Sequence, residues 1–208
     1  GFRELHYQSF AITRSVDFQH VIWGCWHFLF VAAIMWYVKR FCEMNVQKVL
    51  GALAAISLLL YPVADLWITD LRMVCLQQPE IYSLFYFHFL IPLAALGGLA
   101  LLIQFLIKQH RLSGILTQWA PWFLTLAGLF ILSAEVVHLW VVAAYEPGFD
   151  WSETARKAVK VAWPILWSVV SLLMMGVGMK KRIKQLRIIS LALFTLTIVK
   201  LFVYDISN

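Results

Sequence analysis

Charge is what this sequence has least of. Only 13% of its 208 residues are Asp, Glu, Lys or Arg, against 62% hydrophobic residues, and the mean hydropathy is +0.79. A chain with so little polar surface cannot cover a soluble globule, so its long apolar runs read as membrane spans. Cysteine is scarce too: Cys25, Cys42 and Cys75 are odd in number and lack paired ligand spacing, which argues against a disulfide framework and a zinc site. The first apolar run follows a segment carrying Arg3, Glu4, Arg14 and Asp17 and has no small-residue cleavage pattern after it, so it does not read as a signal peptide. Low-complexity tracts, internal repeats and a soluble domain are all missing, and no metal, nucleotide or nucleophile motif of high specificity occurs. The net charge of +6 sits in short patches between apolar runs, where orientation in a bilayer accounts for it and nucleic acid is not needed.

What is present is six runs long enough to cross a bilayer, at about 18–38, 49–67, 82–107, 121–145, 158–179 and 185–204. Unsatisfied backbone groups are too costly in lipid for anything but helices or closed barrels, and these runs lack the alternation of barrel strands. The expected fold is all-α: a polytopic transmembrane helix bundle with six spans, forming one transmembrane domain over 1–208. Pro62, Pro92 and Pro164 fall within spans and predict kinks. Gly97, Gly98, Gly128, Gly176 and Gly178 would let helices approach closely. Glu146-Pro147-Gly148 signals a turn, and Asp150-Trp151-Ser152-Glu153 resembles a capping box that starts the fifth helix near Trp151, with that indole at the headgroups.

The basic residues set an orientation. Loops after spans one, three and five hold Lys39, Arg40, Lys48, Lys108, Arg111, Lys180, Lys181, Arg182, Lys184 and Arg187, whereas Arg3, Arg14, Arg72, Arg156, Lys157 and Lys160 fall on the other side. Lys and Arg favour the cytoplasmic side, so both ends of the chain are expected to face outward.

At about 1.5 Å per residue, His27 lies roughly 14 Å in from the outer end of its span, His88 about 9 Å, His138 about 10 Å and Glu135 about 15 Å. Asp65 and Lys200 lie shallower on the same side. Ionisable groups within spans usually face a bundle interior or a wet cavity, so these six residues predict an outward-opening polar cavity that binds a ligand.

Glu135-Val136-Val137-His138 is the sharpest local pattern, because residues three apart share a helix face. Dinuclear metal sites use such motifs but need a second copy and further glutamates, which this chain lacks; no metal and no cofactor are expected. A hydrogen-bonded packing pair and a proton relay through Glu135, His138 and His88 stay open, as does pairing of Glu135 with Lys200 or a histidine merely to permit burial. His20 and His27 share a face, but no haem-attachment motif accompanies them.

Trp23, Trp26, Trp67, Trp140, Trp151, Trp163 and Trp167 also concentrate in the outer half. They read as an interfacial belt, or alternatively as cavity walls that stack on a sugar or lipid headgroup. The basic run from Lys180 to Arg187 has two readings as well, topology setting and contact with anionic lipid.

The final third of the chain carries a resemblance. Phe149-Asp150-Trp151-Ser152, Gly178-Met179-Lys180-Lys181-Arg182 and the segment from Leu196 to Ser207 resemble the closing part of the bacterial multi-pass proteins grouped as domain of unknown function 2339, over about residues 149–208. Members are typically longer, with more spans and one further helix after the equivalent of Tyr204-Asp205. The resemblance therefore implies a C-terminal portion of a longer chain in a bacterial inner membrane, with lipids and the remaining spans or other membrane subunits as partners. It marks Lys200 and Asp205 as family-like and supplies no activity.

Three functions follow as expectations. The first is binding or translocation of a small or lipid-linked solute through the outer cavity, with proton coupling through Glu135 and His138 as an option. The second is a structural subunit of a larger envelope complex. The third is an outer-face membrane enzyme with Glu135 or Asp65 as general acid or base and His138 or His88 as partner.

Overall fold

The computed structural model describes residues 16–41, 44–77, 85–108, 114–145 and 150–205. Arg3, Glu4, Arg14, Cys42, Arg111, the Glu146-Pro147-Gly148 turn, Phe149 and Ile206-Ser207 lie outside the described residues. Every element among the described residues is helical: α1 (Val16–Phe41), α2 (Met44–Leu58), α3 (Tyr61–Gln77), a 3-10 turn (Tyr86–Phe89), α4 (Leu90–Lys108), α5 (Gly114–Ala143), α6 (Trp151–Lys180), α7 (Lys184–Lys200) and a closing π-helix (Leu201–Asp205). Six stretches are long and apolar enough to cross a membrane: Phe18–Phe41, Val49–Gln77, Tyr86–Gln104, Trp119–Ala143, Trp151–Lys180 and Lys184–Val203. The chain is an all-α, multi-pass membrane protein. It divides into two compact units, Gly1–Arg111 and Leu112–Asn208.

In the first unit α1 is central, packed by α2, α3 and α4. Lipid is as apolar as leucine, so packing here is driven by close van der Waals fit and hydrogen bonds rather than by escape from water. Gly24 shows the fit: a Cβ there would lie 2.9 Å from Ile91 Cδ1, so α1 and α4 meet where a side chain is missing. At the far end of α1, Lys39 donates to the Gln104 side chain of α4.

The second span continues ten residues past its expected end, to Gln77, and contains a break. Pro62 has no N–H to offer the carbonyl four residues back, so α2 closes in tight turns, Leu59 N–H to Ile56 (3.0 Å) and Leu60 N–H to Ser57 (3.0 Å), before α3 begins at Tyr61. Sequence reasoning placed Arg72 in an outer loop because charged residues punctuate the run after Trp67. Instead Arg72 is buried within α3, and Asp65, two turns earlier on the same face, attracts it.

Pro92 falls in the first turn of α4, just after the 3-10 turn, where a missing N–H disrupts least. Pro164 lies inside α6 and deprives the Lys160 carbonyl of its helical donor. One residue away, Lys200 Nζ donates to the Val159 carbonyl at 2.9 Å, so the end of α7 is fastened to α6 near Pro164.

In the second unit α6 packs against both α5 and α7. Its start is capped as the sequence suggests: the Asp150 carboxylate accepts from the Ser152 N–H (2.8 Å), the Glu153 N–H (3.4 Å) and the Ser152 hydroxyl (2.7 Å). The box is not reciprocal, because Glu153 turns to Lys157 at 2.7 Å. Hydrogen bonds from the Ser152 side chain, then from the Ser152 and Glu153 amides, hold the Asp150 carboxyl below its ordinary value. A lowered carboxyl stabilises the fold fully above the ordinary carboxylate range, and that contribution is lost as pH falls through the lowered value. Asp150→Ala is expected to speed hydrogen exchange at the Ser152 and Glu153 amides, whereas Asp150→Asn retains protection near neutral pH.

The α6–α7 hairpin closes by a Schellman motif, with Ile183 N–H to the Gly178 carbonyl (2.9 Å) and Arg182 N–H to Met179 (3.2 Å). Arg182 occupies the left-handed position at φ 56°. Glycine adopts that conformation freely, so Arg182→Gly is expected to raise stability by about 1 kcal/mol in a denaturant titration. Farther along, Ser171 Oγ donates to the Ser190 carbonyl at 2.8 Å between α6 and α7.

Candidate functional site

Two helical stripes build a groove inside the first unit. On α1, His20, Trp23, Gly24 and His27 follow one another at spacings of three, one and three and so share a face; Leu60, Val63, Ala64 and Trp67 repeat the pattern in α3 and the turn before it. The centre of each stripe is small. Gly24 lies opposite Ala64, with a Cβ on the glycine 3.8 Å from that of the alanine, so the backbones draw together and the indoles on either side become walls. The cavity has a volume of about 320 Å³ and is lined by Trp23, Gly24, Trp26, His27, Phe28, Phe30, Leu60, Val63, Ala64 and Trp67.

Its walls are almost wholly apolar and aromatic; among the lining residues His27 brings an imidazole, and the Trp23 Nε1 is itself buried. Trp67 is held by His20, whose ring stacks on it at 5.3 Å and 24° while meeting Trp23 edge-on at 5.5 Å. Trp26, Phe30, Leu60 and Val63 stand exposed at the rim, on a surface that faces lipid in a membrane protein. Such a cleft suits a molecule with an apolar body and a few hydrogen-bonding atoms.

His27 Nε2 and Ser57 Oγ form a 2.6 Å hydrogen bond between α1 and α2. That is the separation of a nucleophile and its base, but a catalytic pair also needs a third group to orient the imidazole. His27 shows no carboxylate partner among the described residues, and the bond joins α1 to α2.

The remaining predicted residues sit elsewhere. His88, completely buried in the 3-10 turn, hydrogen-bonds through Nδ1 to the Phe85 carbonyl and lies with its ring centroid 4.1 Å from those of both Phe85 and Phe89. It belongs to the aromatic core, and neither it nor Asp65 lines the groove. In the second unit, Glu135 and His138 are both buried, at 9% and 2% exposure, on one face of α5. Ser133 points a different way, roughly 140° or more around the helix from both. Lys200 makes the α6 contact described above. Among the described residues, no group of three or more His, Cys, Asp or Glu is placed to hold a metal ion.

The tryptophans divide by unit. Trp23, Trp26 and Trp67 are groove walls, whereas Trp163 and Trp167 stack on each other at 5.6 Å and donate to the carbonyl and the hydroxyl of Ser133, both at 3.0 Å. Sequence reasoning missed Ser57 and Ser133, although the four-residue spacing of Trp163 and Trp167 was a usable signal for an indole pair on one face. No protein-family model, curated protein or solved structure matches this chain.

Proposed function

We propose that the protein binds a membrane amphiphile, a lipid or a lipid-linked solute, in the groove between α1 and α3. The observation that carries this reading is the pairing of matched small-residue stripes with three indole walls and an apolar rim. Acyl or isoprenoid chain suits the apolar rim and the indole faces, and the His27 imidazole suits the polar end of such a molecule. Compared with the sequence expectation, the ligand is the same class but the cavity is aromatic rather than polar, and His27 is the predicted residue it retains.

Native mass spectrometry of the protein taken from its own membrane tests the reading. A lipid-sized adduct is expected on the wild type and should be lost in Val63→Trp, which plugs the groove from an exposed rim position at little cost in packing. An adduct retained unchanged by Val63→Trp refutes the assignment. Location in a bacterial-type inner membrane with outward termini, movement of the solute across the bilayer, and kinship with domain of unknown function 2339 over residues 149–208 belong to the same proposal. They rest on the basic-residue bias and the C-terminal motifs. A cysteine at Ile183, on the α6–α7 turn, is then expected to resist a membrane-impermeant thiol reagent in intact cells; labelling there would reverse the orientation.

A further inference from the structure

We infer that the α6–α7 turn is a docking surface for anionic phospholipid headgroups, independent of the groove. Lys180, Lys181, Arg182, Lys184 and Arg187 fall within one hairpin turn and all are exposed. From Thr154 to Tyr204 the sequence has no Asp or Glu, so neither helix offers a nearby carboxylate to neutralise them. Exposed Met179, Ile183 and Ile188 alternate with the cations. That interleaving matches the boundary where acyl chains end and phosphates begin, with apolar side chains dipping and charged ones reaching the headgroups.

The hairpin also fixes the bases of two of these cations, Arg187 and Arg182. A Cβ on Gly178 would lie 2.9 Å from Arg187 Cγ and 3.2 Å from its amide nitrogen, so the Arg187 stem lies against α6 and its guanidinium projects from a fixed base. Arg182 is held at a left-handed position where glycine would be unstrained. Setting topology needs positive charge on one side of the bilayer but not a positioned arginine. Phosphodiester recognition does, because a guanidinium donates to two phosphate oxygens at once and the neighbouring lysines add point charge. Clusters of four or more Lys and Arg beside a transmembrane helix attract anionic lipid strongly enough to enrich it locally.

Full-length protein in mixed micelles, analysed by native mass spectrometry, is expected to retain phosphatidylglycerol at least about tenfold more than phosphatidylcholine. The exposed triple variant K180Q/K181Q/K184Q, which leaves the turn backbone untouched, is expected to lose most of that preference, and 0.5 M salt should reduce it in the wild type. A control triple variant at the opposite end of α6, R156Q/K157Q/K160Q, should keep it, as should Val63→Trp. Equal retention of the two lipids by the wild type overturns the inference. So does an unchanged preference in the hairpin variant, an equal loss in the control, or competition by free glycerol phosphate at matched concentration.

Discussion

Replacing both Trp23 and Trp67 with alanine is expected to weaken binding of a lipid-like amphiphile about 100-fold, a factor of ten or about 1.4 kcal/mol for each indole. Calorimetric titration of the detergent-solubilised protein with a short-chain phospholipid measures it. Both residues line the groove, and each supplies a broad apolar face. Trp67→Phe, which keeps the face and loses the donor, should fall between. His20→Ala should have a smaller effect, because His20 supports both indoles, stacked on Trp67 and edge-on to Trp23, but is not itself a wall. An affinity unchanged by the double substitution would show that the ligand binds away from the indoles.

Gly24→Leu is expected to destabilise the first unit by about 3 kcal/mol, the upper part of the range for overpacking a close contact. A Cβ at this position already lies 2.9 Å from Ile91 Cδ1, and Ile91 is completely buried, so the added side chain has to part α1 from α4. Gly97→Leu and Gly176→Leu should be close to neutral in the same SDS-titration assay, because nothing lies within 4 Å of a Cβ at either site. The contrast separates a packing effect at one position from a general penalty for enlarging a glycine. Gly24 also lines the groove, so a loss of binding in Gly24→Leu is informative only when the fold is shown intact.

The number of spans and the membrane character were legible because six long apolar runs leave a chain few alternatives. Boundaries were less so. Span two continues to Gln77 with Arg72 buried and attracted by Asp65 within one helix, whereas a residue-by-residue charge count ends it at Trp67, before Asp70 and Arg72. Glycine roles were hard to assign for a related reason: the sequence shows which residues are small but not which face a neighbour. Gly178 makes a tight contact as expected, Gly97, Gly98 and Gly176 meet nothing, and Gly24, which the sequence does not single out, makes a contact as close as that of Gly178.

The candidate site was legible only in part. His27 and the tryptophans were visible as outer-half residues, and cavity walls were one of their two readings. The focus on ionisable groups pointed instead to His88, Asp65, Glu135, His138 and Lys200. Burial depth along a span says that a polar group needs a partner; it does not say whether that partner is a ligand or the protein. His88 meets its need with the Phe85 carbonyl, and Lys200 with the Val159 carbonyl. The groove depends on two matched stripes from helices far apart in sequence, and their register against each other is a tertiary fact.

Photo-cross-linking with a diazirine-bearing phospholipid, followed by peptide mapping, tests the amphiphile site most directly. Labels concentrated on the stretches containing Trp23 to Phe30 and Leu60 to Trp67, and displaced by excess unmodified lipid, are the predicted result. Uniform labelling along the exposed faces of all six spans, with no displacement, would contradict it and reduce the groove to ordinary lipid-facing surface.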